Sequence, residues 1–219
     1  MLFDVVNHVL EDGLKPLDKG WTNVGVWTSQ LVSSSFTGKD FVVMAKGVDS
    51  LKQWTVKARA KIIYDSVVDP FTHDGLFVKV KGKPNVAVVG FTTDGDVFGG
   101  FFSISVTKQG TQFFDPTIFA FSFESHGRCA TPQRFVVKEG LKEKAFVYFW
   151  KTCNSGFVQF GVFGNGCFLM GNQDSDSLCW DLSLGFEGLG DTTLSGSNNT
   201  NPQAPPYHHC TRLVAVQLS

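Results

Sequence analysis

Disulfides, long apolar runs and net charge are all scarce in this sequence, and each scarcity excludes a class of protein. The five cysteines are an odd number, scattered, with no C-x-x-C pair. Neither a disulfide framework nor a zinc ribbon organises such a chain, and reduced thiols of the cytosol or nucleus are the expectation. No apolar stretch approaches the roughly 20 residues that span a bilayer as a helix. Met1-Leu2-Phe3-Asp4 opens without the basic and apolar regions of a secretory signal, so a soluble intracellular protein is expected. The formal sequon Asn198-Asn199-Thr200 then has no route to a glycan. Charged residues make up only 18% of the chain, with a net charge of −1, so no global field pulls it toward nucleic acid or anionic membrane. The basic runs Lys52, Lys57, Arg59, Lys61 and Lys79, Lys81, Lys83 read as solvated faces.

Phenylalanine is abundant instead. Twenty-two Phe side chains need a dry interior, and a chain of 219 residues is long enough to build one. Apolar runs recur at 86–91, 97–106, 118–123, 134–137, 145–150, 156–163, 167–171, 178–184 and 211–218, broken by Gly, Pro, Asp and Asn. Many short strands at hairpin spacing, without helices between them, predict a two-layer antiparallel β-sandwich with short flanking helices, a β-rich α+β fold. The block Asn85–Val106 is its expected centre: two apolar strands joined at Thr93-Asp94-Gly95-Asp96. Gly99-Gly100 within the second strand predicts a bulge, a bend or the close approach of another backbone.

Flanking elements are read from helical spacing. Val5, Val6, Val9 and Leu10 before Gly13 predict a short helix over 3–12, and Trp21–Phe36 reads equally as strand or ordered linker. Asp49 or Ser50 is placed to cap a helix carrying Leu51, Trp54 and Ala58 that leads into a strand at Ile62-Ile63-Tyr64. In 72–80, Leu76, Val78 and Val80 alternate with Lys79 and Lys81, so periodicity alone predicts a strand. The polar segment Gly188–Pro206 reads as a long surface loop.

Chemistry-bearing clusters are few. Asp174, Asp176 and Asp181 with Asn172 offer clustered oxygens, but lack the glycine and terminal Glu of a calcium loop, and solvated turn acids explain them better. Asp94 and Asp96 are explained by turn geometry. His126 and Cys129 could form a thiolate–imidazole pair, without a recognisable orienting residue. His208, His209 and Cys210 would suit a soft metal, yet neighbouring strand residues point to opposite faces. The glycines at 156, 161, 164, 166 and 171 precede no Lys-Ser/Thr and cradle no phosphate. No catalytic constellation, metal site or cofactor site is assigned.

Several segments in order carry a resemblance: Lys61-Ile62-Ile63-Tyr64-Asp65-Ser66, the Asp-Gly hairpin with its Val-Phe-Gly segment, Phe113-Phe114, Phe119-Ala120-Phe121-Ser122-Phe123, Val158-Gln159-Phe160-Gly161, Cys167-Phe168-Leu169-Met170, Gly185-Phe186 and Thr193-Leu194-Ser195. Together they resemble the TLDc family of oxidation-resistance and nuclear-receptor-coactivator-like proteins, over Lys46–Ser219. The pattern departs at Asp115-Pro116, where the family has glycine, and in the closing strand Cys210–Leu218, which lacks the family's acidic residue and Trp. The resemblance implies a helix at 72–80 capped by Thr72, and domains at 1–45 (an extension) and 46–219 (the TLDc-like domain). It also implies a non-catalytic intracellular interaction module in oxidative-stress resistance. The implied partner is the vacuolar proton-pumping ATPase, with cytoplasmic residence and peripheral attachment to endolysosomal membranes through that partner. The alternatives are a carbohydrate- or small-ligand-binding sandwich and a Cys129/His126 hydrolase. The expected partner-binding residues are Phe186, Glu187 and Asp191, an aromatic beside two acids in a glycine-rich loop at one rim. Trp180 is a further aromatic that could anchor a partner.

Overall fold

The computed structural model describes Phe36, residues 38–151, 156–172, 174–175, 177–198, Thr200, Gln203 and 207–219. The helix expected over 3–12 and the segment 21–35 lie outside these. The compact unit that contains the described residues runs from Ser34 to Ser219.

Its first element is helix α1, Gly38–Thr55. Met44, Gly47, Val48 and Leu51 are its buried residues, the 3, 4, 7 spacing of a single helical face. The helix begins well before the predicted cap: Ser50 sits mid-helix with its hydroxyl on the Lys46 carbonyl, and Ala58 lies beyond the C-terminus. Strand β1, Ala60–Asp65, follows.

Helix α2, His73–Val80, then forms where alternation alone gives a strand. The Thr72 hydroxyl accepts from the Gly75 amide at 3.1 Å, a capped N-terminus that nucleates the turn. Leu76, Phe77 and Val80 turn inward at helical spacing and Lys79 and Lys81 outward, and core burial decides the conformation over β propensity.

The remaining strands are β2 Val86–Thr92, β3 Val97–Phe102, β4 Gln112–Phe114, β5 Phe119–Glu124, β6 Gln133–Val136, β7 Ala145–Phe149, β8 Val158–Val162, β9 Cys167–Met170, β10 Cys179–Trp180 and β11 Cys210–Leu218. A 3-10 helix at Glu139–Lys144 precedes β7, and the short helix α3 spans Leu182–Gly185. The apolar run 178–184 is therefore a two-residue strand followed by a helical turn.

Two antiparallel sheets result, ordered β1-β11-β2-β3-β5-β6 and β10-β9-β8-β7-β4. Rings from both meet in one core: Phe98 of β3 lies 6.0 Å from Phe168 of β9, and Phe102 of β3 lies 6.0 Å from Phe149 of β7. This is the arrangement of a β-sandwich. The outer face of the larger sheet carries a second aromatic layer, in which Phe101 stacks on Phe119 and Phe121 on Phe123. Trp54 of α1 touches Phe119, Phe121 and Phe123, and a Cβ at Gly47 would fall 2.3 Å from the Phe123 ring.

Gly99 and Gly100 mark close approach. The β2–β3 register runs unbroken through both. A Cβ at Gly99 would lie 1.9 Å from the Val88 carbonyl oxygen, and one at Gly100 would lie 2.5 Å from the Phe160 ring. One glycine thus admits a neighbouring backbone and the other a core ring.

Between Gly188 and Asn198 the expected surface loop is packed, with Leu189, Leu194, Ser195, Ser197 and Asn198 all buried. Hydrophobic residues spaced through a polar segment anchor it against the sandwich. Among the described residues, no helix is long and apolar enough to cross a membrane.

Candidate functional site

Helix α1 ends before the aromatic layer does, and this leaves a groove. Trp54 and Thr55 form one wall, Phe101, Ile118 and Phe119 the floor, and β6 contributes Arg134 and Val136 on its outward face. The cavity measures about 530 Å³, within the range of ligand-binding clefts.

The opposite wall is built by a buried carboxylate. Asp115 is 1% exposed and accepts from the Ser103 amide at 2.6 Å, the Thr117 amide at 2.9 Å and both hydroxyls. Asp115 therefore fixes Ser103 and Thr117 at the groove. Four bonds satisfy the carboxylate, which is what permits its burial.

Charges of both signs ring the opening. Arg134 donates to the Trp54 carbonyl at 3.0 Å, with its guanidinium 5.6 Å from the Phe119 ring centre. Lys57 and Glu187 line the groove without an ion-pair partner among the described residues, whereas Lys142 pairs with Glu139. The Asn85 side chain adds an amide.

The three expected partner-binding residues separate. Phe186 is 1% exposed and packs 6.5 Å from Phe168, so its reading as a surface anchor is corrected: it is core. The bridge between Val137 and Phe186 lays this segment along β6 and turns the ring inward. Glu187 is exposed at the groove, its amide donating to the Val136 carbonyl at 2.8 Å. Asp191 accepts from the Ser183 amide at 2.7 Å and serves as a cap for α3, whose own N-cap side chain makes no such bond. Trp180 stands exposed on an edge strand. Sequence reasoning missed the groove's cations: Lys57 was visible only within a basic run, and Arg134 carried no signal.

A second cluster sits at the β2–β3 turn. Asp96 is 1% exposed, correcting its reading as a simple turn acid. Its carboxylate binds His126 Nδ1 at 2.8 Å and the Arg128 guanidinium. Arg128 also donates to the Thr193 and Leu194 carbonyls, tying the hairpin turn to the 190s segment. An orienting carboxylate for His126 thus exists, but the Cys129 sulfur lies against the Ser125 hydroxyl at 3.3 Å and is not hydrogen-bonded to the imidazole.

A third cluster is buried. Cys179 Sγ, Ser195 Oγ, Ser197 Oγ and His208 Nδ1 form a chain with separations of 3.3, 2.7 and 3.1 Å. Burial, reinforced by the neighbouring His209, pushes the His208 imidazole down to about 3. Burial also pushes the Cys167 thiol up to about 11 and those of Cys179 and Cys210 up to about 12. Such thiols remain protonated and unreactive. His208 and Cys210 are buried while His209 is exposed, so the His-His-Cys triplet splits between faces. Asn172 serves its local turn, accepting from the Asp174 amide, while Asp181 accepts from the Thr200 hydroxyl, 19 positions further on; Asp176 lies outside the described residues. Among the described residues no three His, Cys, Asp or Glu side chains are grouped to hold a metal.

The sequence matches no protein-family model and no curated protein.

Proposed function

We propose that this chain is a non-catalytic protein-interaction domain of the TLDc type, binding the vacuolar proton-pumping ATPase in the service of oxidative-stress resistance. The observation that carries the interaction reading is the groove at the end of α1, with its apolar floor and its charges at Lys57 and Glu187, which have no ion-pair partner among the described residues. A concave site with an aromatic floor and a polar rim suits recognition. The TLDc reading is supported by the Thr72-capped helix α2, which the resemblance anticipates and periodicity does not, and by the ordered motifs from Lys61 to Ser195. The domain acts by preferring one state of the pump, because a ligand shifts an equilibrium only by its differential affinity for the two states. Residence in the cytoplasm, with peripheral attachment to endolysosomal membranes, follows from that partner.

The test measures binding of the purified chain to purified pump in its assembled and dissociated states. A preference of about tenfold or more, equivalent to roughly 1.4 kcal/mol, is expected; equal affinity or no binding sinks the reading. One observation favours a second reading, a carbohydrate- or small-ligand-binding sandwich: the Trp54 indole and the Asn85 amide share the groove. A glycan array separates the two.

A further inference from the structure

We infer that the groove recognises a short peptide segment presenting an acidic and a basic side chain on either side of an apolar one. This rests on the interaction reading and adds the chemistry of the ligand. Arg134 and Val136 are two positions apart on β6, so their side chains leave the same face roughly 6–7 Å apart.

The Arg134 end is cationic. Its guanidinium is anchored by the Trp54 carbonyl, and Lys57 follows Trp54 by three residues. Neither cation has an acid within 4 Å among the described residues. The centre is apolar: Val136 is 40% exposed and is paired with Phe119 of the neighbouring strand β5. The far side is anionic, because the Glu187 amide is fixed to the Val136 carbonyl while its carboxylate has no ion-pair partner among the described residues, and Lys142, which also lines the groove, is held by Glu139.

This sequence of fields fixes an orientation. A ligand carboxylate is attracted to Lys57 and Arg134 and repelled by Glu187; a ligand ammonium experiences the reverse. Exposed pairs of this kind contribute direction and selectivity, and the apolar contact on the exposed Val136 contributes the affinity. A uniformly acidic or uniformly basic segment meets repulsion at one end.

The test is a phage-displayed random heptapeptide library panned on the full chain and on the Arg134→Glu and Lys57→Glu variants. Arg134 is exposed and Lys57 half-buried, and thermal melts verify folding. Enriched peptides are expected to carry an acid and a base flanking an apolar residue. A synthesised representative should bind about tenfold more weakly to each variant by fluorescence anisotropy, and panning on Arg134→Glu should replace the acid by a base. No enrichment over a blank surface, or enriched peptides indifferent to both variants, overturns the inference. Pump binding unaffected by either variant overturns the groove while leaving the interaction reading intact. Peptide selection without pump binding overturns the pump while leaving the groove.

Discussion

Asp65 and Arg212 stand 147 positions apart in the chain and meet across β1 and β11, with Arg212 Nε donating to Asp65 Oδ1 at 2.9 Å and the Arg212 guanidinium 3.5 Å from the Phe36 ring centre. Both residues are buried. Removing one member of such a pair leaves an uncompensated charge in the interior, so Asp65→Ala or Arg212→Ala should each cost about 3–5 kcal/mol. Asp65→Leu with Arg212→Met should cost less than either single change, since no charge is left behind. Urea denaturation of the four proteins checks this; additive losses would mean that the pair is not coupled.

Gly99 and Gly100 predict different rescue behaviour. Gly100→Ala pushes on the Phe160 ring and Gly99→Ala on the Val88 carbonyl, and each should cost about 1–3 kcal/mol. Phe160→Leu should recover part of the loss in Gly100→Ala by yielding space. It should recover nothing in Gly99→Ala, because a paired backbone cannot retreat. Equal rescue of both would show that the two glycines answer the same constraint.

Which features were legible follows the same division between local pattern and tertiary contact. The strands from Val86 onward were marked by apolar runs with turn residues between them, and their bounds fall within a few residues of β2, β3 and β5–β9. Helix α1 was truncated because Gly38, Lys39 and Asp40 offer little apolar signal; its inward stripe at Met44, Gly47, Val48 and Leu51 includes a glycine that is there to fit Phe123. Strand β4 is only three residues long and was seen as an aromatic pair without a conformation. The site was less legible still. Glu187 was found by its composition, but Phe186 beside it is core because of a bridge to Val137, a long-range pairing that no local window encodes. Arg134 gains its role from Trp54, eighty positions away.

Phe186 and Glu187 should accordingly separate in mutation. Phe186→Ala removes a fully buried ring and should cost about 3–5 kcal/mol of stability. Glu187→Lys changes an exposed side chain and should leave stability within about 0.5 kcal/mol. Thermal and urea melts decide the matter, and a Phe186→Ala protein as stable as wild type would return that ring to the surface.

Arg128 should govern the order of the 190s segment. Its side chain ties the Thr193 and Leu194 carbonyls to the buried Asp96 carboxylate, so Arg128→Ala should speed hydrogen exchange at Ser195 and Ser197 while the β2 and β3 amides keep their protection. Uniform acceleration across both would mean global destabilisation instead.

His208 makes stability depend on pH in a definite direction. The imidazole is held neutral in the folded chain, with its pKa pushed down by burial to about 3; in the unfolded chain it returns to about 6.5. Above about pH 6.5 neither state binds the proton and stability is full. Below it the unfolded state binds one more proton, so stability falls by about 1.4 kcal/mol for each pH unit as pH drops toward the folded-state value. Carboxylates titrate over part of the same range, so the informative quantity is the difference between wild type and His208→Gln, which has no proton to gain. At pH 7.5 the wild type should be the more stable, since its Nδ1 bonds Ser197 Oγ within a chain of buried hydroxyls. Urea melts at pH 7.5, 6.0 and 4.5 should show that advantage shrinking and then reversing. A gap that stays constant across the three would mean that the imidazole reaches solvent and takes up its proton without unfolding.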